Sequence, residues 1–384
     1  MSEGRGGPLA GVRIVELLGL GPGPFCGMLL ADLGAEVLRI DRVDAARALD
    51  TSRPATNALY RSKDALALDL KDHLGVETFL RLTDRADAVV EVFRPGVAER
   101  LGIGPDVARN RNPRLVYGRL TGYGQDGPLA HKAGHDIDYL AIAGALEPLG
   151  RADAPPTPPI NVLADFAGGG MLLAYGIVAA LLARERTGDG QVVDAAMVDG
   201  AAVMLTPFYA ARASGFWGPR GTNMLDTGAP WYDTYETADG AWLALGAIEP
   251  QFYAQLVEGL GLDAETLPYQ QDRDGWPELR RRFAEVVRTR TRDDWERHFE
   301  SFDACVAPAL TPEEAPSHPH NRARSTFGEI RGVPQPSPAP RFSGTPLGPP
   351  EPPVHPGERT RDVLTRWGFD AGEIDELVDA GVVM

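Results

Sequence analysis

Hydrophobic and polar positions in the first two hundred residues predict strands and helices that alternate along the chain. Apolar residues fill positions 12–18 and predict a buried strand, a loop rich in glycine and proline follows at 19–24, and residues 25–33 fit a helix. The alternation continues with strands predicted at 36–40, 88–92, 114–118 and 192–197 and with helices near 74–84 and 96–101. Such βαβ units predict an α/β domain built on a parallel sheet.

An uncharged apolar run at residues 171–182 predicts a buried helix, and a candidate catalytic group stands just before it. Asp165 and the glycines 168–170 precede this run, so Asp165 is expected at or near the N-terminus of the helix. The helix dipole favours an ionised carboxylate at that end. The first backbone amides of a helix have no partner inside it, which makes them candidates to stabilise an oxyanion.

The pattern changes after about residue 200, and a second, smaller α/β domain is predicted at 225–325. A hairpin is expected to turn at Asp239 and Gly240, and charged helices follow it. The large domain is assigned to 1–200, with a linker at 201–224 and a proline-rich linker at 326–356. The remaining segments are helices predicted near 250–260, 276–288 and 292–302, and a tail at 357–384 with two amphipathic helices broken at Gly368.

Length, charge and cysteine content restrict the class of protein. A chain of 384 residues exceeds one ordinary core and favours two domains, and a net charge of −16 argues against nucleic acid as a partner. No apolar run is long enough to predict a membrane span, and neither a signal peptide nor a peroxisomal Ser-Lys-Leu ending is expected, so a cytoplasmic location is predicted. Cys26 and Cys305 are too far apart in sequence to predict a disulfide framework.

Three motifs have both a structural and a functional interpretation. His135 and Asp165 together provide two groups that can move a proton on carbon, although a single histidine is more often structural than catalytic. The glycines between Gly21 and Gly27 follow GxGxxxG spacing, which favours a tight strand-to-helix turn over a dinucleotide site. His318 and the histidine two residues later have no carboxylate or cysteine at ligand spacing, so no metal site is predicted.

The chain resembles the formyl-CoA transferase superfamily, the family III CoA-transferases, and within it the α-methylacyl-CoA racemases. The resemblance is carried by short motifs in the family's order, at residues 8–17, 22–25, 31–37, 68–71, 94–97, 121–125, 188–194 and 381–383. The histidine of the Gly-His-Asp sequence at 134–136 is typical of the racemases and distinguishes them from the transferases.

The resemblance implies a fold and a set of site residues. It implies a Rossmann-like large domain, a tail that returns to that domain, and a homodimer of two interlocked chains. His135 and Asp165 become the catalytic pair, and Glu249 matches a glutamate that approaches the histidine from the small domain, although a plain helix N-terminal carboxylate explains Glu249 equally well. The implied coenzyme contacts, with Arg42 at the adenosine end and two arginines as candidate phosphate ligands, are Arg42, Leu68, Asp69, Leu70, Lys71, Phe93, Arg94, Arg100, Gly134, Asp136 and Tyr139.

The activity that the resemblance implies is racemisation of 2-methylacyl-CoA thioesters through an enolate, with coenzyme A as part of the substrate and with neither metal nor flavin. Two alternatives stay open: coenzyme A transfer through an anhydride on Asp165, and binding of acyl-CoA without catalysis. An acidic protein must place its cations locally to bind anionic coenzyme A, and a basic cluster early in the chain is compatible with this. Its members are Arg39, Arg42, Arg53, Arg61 and Lys63, among which Asp64 is unexpected beside a phosphate.

Overall fold

The computed structural model describes residues 6–52 and 55–384, which form two compact units. The first unit contains the chain up to Ala143, Ile160–Met204 and Ser325–Met384. The second contains Gly144–Pro159 and Leu205–Arg324. The division differs from the sequence prediction in that most of the expected linker at 201–224, together with the distant segment 144–159, belongs to the second unit.

A six-stranded parallel sheet forms the centre of the first unit. Its strands are ordered β3-β2-β1-β4-β5-β6, with β1 at Arg13–Leu17, β2 at Glu36–Asp41, β3 at Lys63–Ala67, β4 at Ala88–Glu91, β5 at Val116–Thr121 and β6 at Val192–Ala196. β1, β2, β4 and β5 are almost entirely buried, as expected for strands covered by helices on both faces. The predicted α/β class with a parallel sheet is confirmed, and β3 is the strand that the sequence pattern missed.

Helices connect these strands and place their N-termini near the carboxyl ends of the sheet. They are α1 Pro22–Asp32, α2 Val43–Arg47, α3 His73–Thr83, α4 Val97–Arg100, α5 Pro105–Arg111, α6 Asp136–Ile142, α7 Leu172–Thr187 and α8 Met197–Met204. Pro22 and Pro24 lie in the first turn of α1. Backbone amides in a first turn have no acceptor within the helix, so the missing proline N–H groups cost no hydrogen bond. Short 3₁₀ turns lie at Ala58–Tyr60, Ile160–Val162, Ala264–Thr266, Arg273–Gly275 and Ala315–Ser317.

The helix that carries Asp165 is longer than predicted. A π-helix, Leu163–Met171, runs directly into α7, and together with the preceding turn it gives a continuous helical stretch, Ile160–Thr187, of 28 residues. By length and composition alone this stretch could cross a membrane, but a buried core helix passes the same test, and 44% of its most apolar window is buried. The expectation of a short apolar helix at 171–182 is therefore wrong about its length.

The second unit is a small α/β body with its own aromatic core. Its sheet has the order β7-β8-β9, with strands β7 at Tyr232–Glu236, β8 at Trp242–Gly246 and β9 at Val306–Pro308, all antiparallel. The predicted hairpin turn at Asp239 and Gly240 joins β7 to β8. Its helices are α9 Thr206–Ala213, α10 Pro250–Gly259, α11 Trp276–Val287, α12 Arg292–Phe299 and α13 Pro319–Ala323. Trp231, Phe283 and Trp295 are fully buried in its core.

The C-terminal tail packs on the first unit. A short antiparallel hairpin, β10 Phe327–Ile330 and β11 Val333–Pro336, lies within the segment predicted as a linker, and the helices α14 Thr360–Arg366 and α15 Ala371–Asp379 follow. Trp367 is buried in the same core as the sheet. The last residues also bind to the edge of the sheet, since the Asp69 amide donates to the Val382 carbonyl at 2.9 Å.

Candidate active site

His135 lies at the N-terminal cap of α6, with an extended backbone conformation. Its amide donates to the Asp138 carboxylate at 2.9 Å, which fixes the first turn of the helix against the residue that precedes it. The imidazole is exposed. The helix therefore holds the histidine backbone in place while the ring stays accessible from outside the helix.

Gly134 is required by the two tyrosines that pack beside it. A Cβ at this position would lie 2.8 Å from the Tyr123 hydroxyl and 2.8 Å from the Tyr139 ring. The two rings meet edge to face at a centroid distance of 5.0 Å, and the Tyr139 hydroxyl donates to the Gly134 carbonyl. Burial raises the pKa of Tyr139 to about 12, so its hydroxyl stays protonated and keeps this bond. The glycine before the histidine thus reflects tight local packing.

Asp165 is the third residue of the π-helix and lies in its first turn, close to where the sequence predicted it. Its carboxylate accepts a hydrogen bond of 3.3 Å from the side-chain amide of Asn161. Desolvation raises the pKa of Asp165 above its usual value and is the largest cause of the shift; the Asn161 hydrogen bond opposes it, Asp136 adds to it and His135 opposes it. A raised pKa lets this carboxylate exchange a proton more readily near neutral pH.

The glycine triplet allows the π-helix to approach its neighbours closely. A Cβ on Gly168 would lie 2.9 Å from the Ala201 amide in α8, and one on Gly170 would lie 2.4 Å from the Pro22 carbonyl in α1. Gly200 of α8 is equally constrained, because its Cβ would lie 1.9 Å from the Gly168 carbonyl. The triplet therefore fixes the position of the Asp165 helix against α1 and α8.

Two backbone amides at the start of the π-helix, those of Ala164 and Asp165, are not free. The expected oxyanion donors, the amides that follow Asp165, stay a prediction. The buried carboxylate of Asp136 accepts hydrogen bonds from the Ala164 amide at 2.7 Å and from the Asp165 amide at 2.9 Å. These two donors are therefore unavailable to an oxyanion. The Asp136 side chain, predicted as a coenzyme contact, is bound inside the protein through one of its oxygens, and its contact with the coenzyme stays a prediction.

His135 and Asp165 line one cavity of about 520 Å³. The segment after β4 contributes Phe93 and Arg94, and Asn161 lies on the same wall as the carboxylate. The predicted site residues that the cavity brings together are Phe93, Arg94, Gly134, His135, Tyr139 and Asp165. The sequence interpretation overlooked Asn161, although a polar side chain four residues before Asp165 on a helix is a usable signal.

A second cavity, of about 540 Å³, lies at the carboxyl ends of β1 and β2. Ligands of open α/β sheets bind at this end of the strands. The cavity is lined by several predicted coenzyme contacts, namely Arg42, Leu68, Asp69, Leu70, Lys71 and Phe93. Leu18 and Phe93 line both cavities, so a single extended molecule can follow the wall from one to the other.

Comparison with known proteins assigns the family. Residues 9–360 match the family model for CoA-transferase family III. The chain belongs to CoA-transferase family III. It is 49% identical to mouse alpha-methylacyl-CoA racemase and 47% identical to the human protein of the same name, in each case over 96% of both chains. A crystal structure of a CaiB/BaiF family protein from Brucella suis has the same fold, with a TM-score of 0.82 and 24% identity over 94% of this chain and 100% of the other.

Four of the predicted coenzyme contacts in this family III chain are positively charged side chains, and their environments differ. Arg42 is exposed and pairs with Asp44, so binding a ligand there competes with an ion pair at the surface. Arg94 and Lys71 are exposed at the two cavities, and no described residue pairs with either side chain. Arg100 is also exposed, but it lines neither cavity. Of the four, Arg94 and Lys71 are thus the cations that line a cavity without an ion pair among the described residues.

Three members of the predicted basic cluster are structural, which corrects the sequence-based interpretation. Lys63 is fully buried and donates to Glu16 at 2.5 Å, and Arg39 is buried against Asp41 at 2.7 Å. Arg61 is buried against Asp32 at 2.5 Å. Arg53 lies outside the described residues, and Asp64, unexpected beside a phosphate, pairs with Arg366 of the tail.

Glu249 lies in the second unit, where it is the N-terminal cap residue of α10. Its approach to His135 stays a prediction, because the two residues belong to different units. Among the described residues no group of three or more histidine, cysteine or acidic side chains could hold a metal ion. His318 instead contacts Glu296 at 2.8 Å, and Cys26 and Cys305 are both free thiols.

Proposed function

We propose that this protein is an α-methylacyl-CoA racemase, which interconverts the (2R) and (2S) epimers of 2-methylacyl-CoA thioesters. The observation that carries the proposal is the pair His135 and Asp165 in one cavity, in a chain nearly half identical over its length to mammalian proteins named for this activity. A pair of proton-transfer groups on separate elements is what inversion at a carbon acid needs, because one face must lose a proton and the other must gain one.

The chemistry proceeds through an enolate. One base removes the α-proton, the thioester oxygen gains negative charge, and the conjugate acid of the second group returns a proton to the opposite face. His135 can accept a proton on a ring nitrogen or return one from it, so it can serve in either role. Burial raises the pKa of Asp165, which favours a carboxylate that accepts the proton in one direction and donates one in the other.

Stabilisation of the enolate oxygen requires donors other than the two amides that Asp136 occupies. Asn161 is a side-chain donor on the wall of the cavity, at 3.3 Å from Asp165. Loss of one such donor costs about 3–4 kcal/mol of transition-state stabilisation in a comparable hydrolase site. We assign this role to Asn161 as part of the proposal.

The coenzyme moiety is assigned to the second cavity. Its adenosine end lies beside Arg42 and the segment that begins at Leu68, and its phosphates lie near Lys71 and Arg94, where charge-assisted hydrogen bonds are available. Phe93 borders both cavities and marks the path along which the pantetheine arm would reach the acid–base pair. Neither metal nor flavin has a role in this scheme.

A homodimer remains part of the proposal, supported by an exposed apolar stripe on the long helix. Met171, Tyr175, Val178 and Leu182 follow helical spacing and are exposed by 51%, 72%, 37% and 63%. A stripe of this kind favours burial against another surface. Light scattering during gel filtration tests it: the wild type should have twice the mass of one chain, and Tyr175→Asp should shift the protein towards the monomer.

The proposed activity is tested by NMR of a single epimer of a 2-methylacyl-CoA in D₂O. Either epimer should reach the same mixture and incorporate deuterium at the α-carbon, with coenzyme A retained. Absence of exchange in the presence of folded protein refutes the proposal.

The second candidate function is coenzyme A transfer, favoured by the family to which the chain belongs. Asp165 would then attack a thioester carbonyl and form an acyl anhydride, with coenzyme A as the leaving group. Hydroxylamine distinguishes the two functions, since it converts such an anhydride into a hydroxamate on Asp165. The racemase leaves that carboxylate unmodified.

A further inference from the structure

The carboxylate of Asp136 links the two halves of the acid–base pair. Asp136 is the first residue of α6 and directly follows His135. Its side chain, 6% exposed, bonds through one oxygen to the amides of Ala164 and Asp165 at 2.7 and 2.9 Å. One residue therefore holds the backbone of both groups, although they lie thirty positions apart in sequence.

We propose that Asp136 is a positioning residue that sets the place of the Asp165 carboxylate relative to His135. The inference rests on the proposed acid–base role of these two groups. A π-helix has a wider turn than an α-helix, and its first amides lack intrahelical partners. The Asp136 carboxylate supplies those partners and so selects where the helix begins.

The same carboxylate also acts on Asp165 electrostatically. A second negative charge nearby favours the protonated form of Asp165 and contributes to its raised pKa, behind the larger effect of desolvation. The other groups that act on Asp165 are His135 and the Asn161 amide, both of which favour the ionised form. On α6, burial raises the pKa of Tyr139, and the Asp165 carboxylate adds to that shift.

At the glycine triplet the neighbouring helices present uncharged groups, Pro22 and Phe25 from α1 and Met197 and Ala201 from α8. The acidic residue Asp199 also lies on α8, but it is not among the groups that shift the pKa of Asp165. An Asp136 variant therefore changes one charge and one hydrogen-bond acceptor at the start of the helix, with the other contacts of the π-helix intact. This makes a conservative substitution informative.

Two variants separate position from charge. Asp136→Asn keeps an oxygen acceptor for the amides but removes the charge, so the pKa of Asp165 should fall. For the epimer whose α-proton Asp165 removes, the acidic limb of the kcat–pH profile should therefore move to lower pH. Asp136→Ala leaves both amides without an acceptor. Because misplacement by about 1 Å can cost roughly 10²-fold, kcat should fall by about that factor while KM changes much less, and the Asn variant should retain most of the lost kcat.

Asp226 supplies the matched control. It accepts the Gly221 amide at 2.8 Å and the Asn223 amide at 2.7 Å, in a loop of the second unit that lines neither cavity. Asp226→Asn and Asp226→Ala should lower thermal stability without moving the pH profile. Every variant is compared with the wild type at equal folded concentration.

The outcomes are distinct. An acidic limb that stays in place in Asp136→Asn, or an Asp136→Ala protein that loses affinity for coenzyme A at unchanged kcat, overturns the inference and favours a structural or coenzyme-binding role. A wild type that shows no α-proton exchange instead refutes the proposed function. In that case the same kcat comparison is made on coenzyme A transfer, where a positioned Asp165 is equally necessary.

Discussion

Gly170→Ala tests whether the glycine triplet fixes the helix that carries Asp165. The added Cβ would lie 2.4 Å from the Pro22 carbonyl and 2.9 Å from the Phe25 ring, whereas ordinary contact begins at 3.4 Å. The carbonyl contact is thus 1.0 Å too close, the difference between 3.4 and 2.4 Å. Pro22 and Pro24 stiffen that turn of α1, so the helix itself must move.

The expected cost has a stability and an activity component. Adding a methyl group to a packed core destabilises a protein by about 1–3 kcal/mol, against which the better helix propensity of alanine contributes about 1 kcal/mol. A shift of about 1 Å at a catalytic group can lower turnover by roughly 10²-fold. We therefore expect net destabilisation of about 0–2 kcal/mol and a larger loss of kcat than of substrate affinity.

Gly372→Ala is the control, because it makes the same substitution in a helix where the new Cβ meets nothing nearer than the Asp370 side chain at 3.4 Å. Urea unfolding and α-proton exchange are measured for both variants. The control should be neutral or slightly stabilised and fully active. If Gly170→Ala behaves like the control, the close approach to Pro22 does not position Asp165, and the reasoning fails.

Three further predictions concern charged residues. Arg42→Ala should raise KM for the coenzyme A thioester roughly tenfold at unchanged kcat, because one charge-assisted contact remote from the reacting carbon is lost. Asp44→Ala should not raise KM, and titration calorimetry should show weaker binding of coenzyme A only in the Arg42 variant. Lys63→Met should lower the free energy of unfolding in urea by about 3–5 kcal/mol, because the fully buried Glu16 loses its partner. The double variant Glu16→Gln with Lys63→Met should recover most of that loss, and equal stability of the single and double variants would contradict this. Burial raises the pKa of Glu91 to about 7, so the stability contributed by its protonated form is complete below about pH 4.5 and lost as the pH rises through about 7. Glu91→Gln should flatten that loss between about pH 5 and about pH 8, and identical pH dependence in both proteins would refute it.

Local sequence patterns predicted much of the first unit because its strands are nearly continuous apolar runs. β3 escaped detection since Lys63 and Asp64 occupy its first positions, where ion pairs with Glu16 and Arg366 help to make such residues tolerable. Those partners lie 47 and 302 positions away, beyond the reach of any local pattern.

The candidate site was predictable in its residue types and less so in its geometry. His135 and Asp165 stood out through their flanking glycines, and both line the same cavity. The π-helix was not predictable, because its wide turn depends on how the glycines meet α1 and α8. The bond from the Ala164 amide to Asp136 spans 28 positions, so no local pattern in the sequence could predict that this carboxylate caps the π-helix.

The central claim is that His135 and Asp165 act on opposite faces of one carbon. The most direct measurement is α-proton exchange in D₂O by His135→Ala and Asp165→Ala, each given each pure epimer of a 2-methylacyl-CoA. Racemisation should fall by roughly 10²-fold or more in both variants. Each variant should still exchange the proton of one epimer without inversion, and the two should prefer opposite epimers. Loss of exchange for the same epimer in both variants, or an Asp165→Ala protein that still racemises at the wild-type rate, would contradict the account.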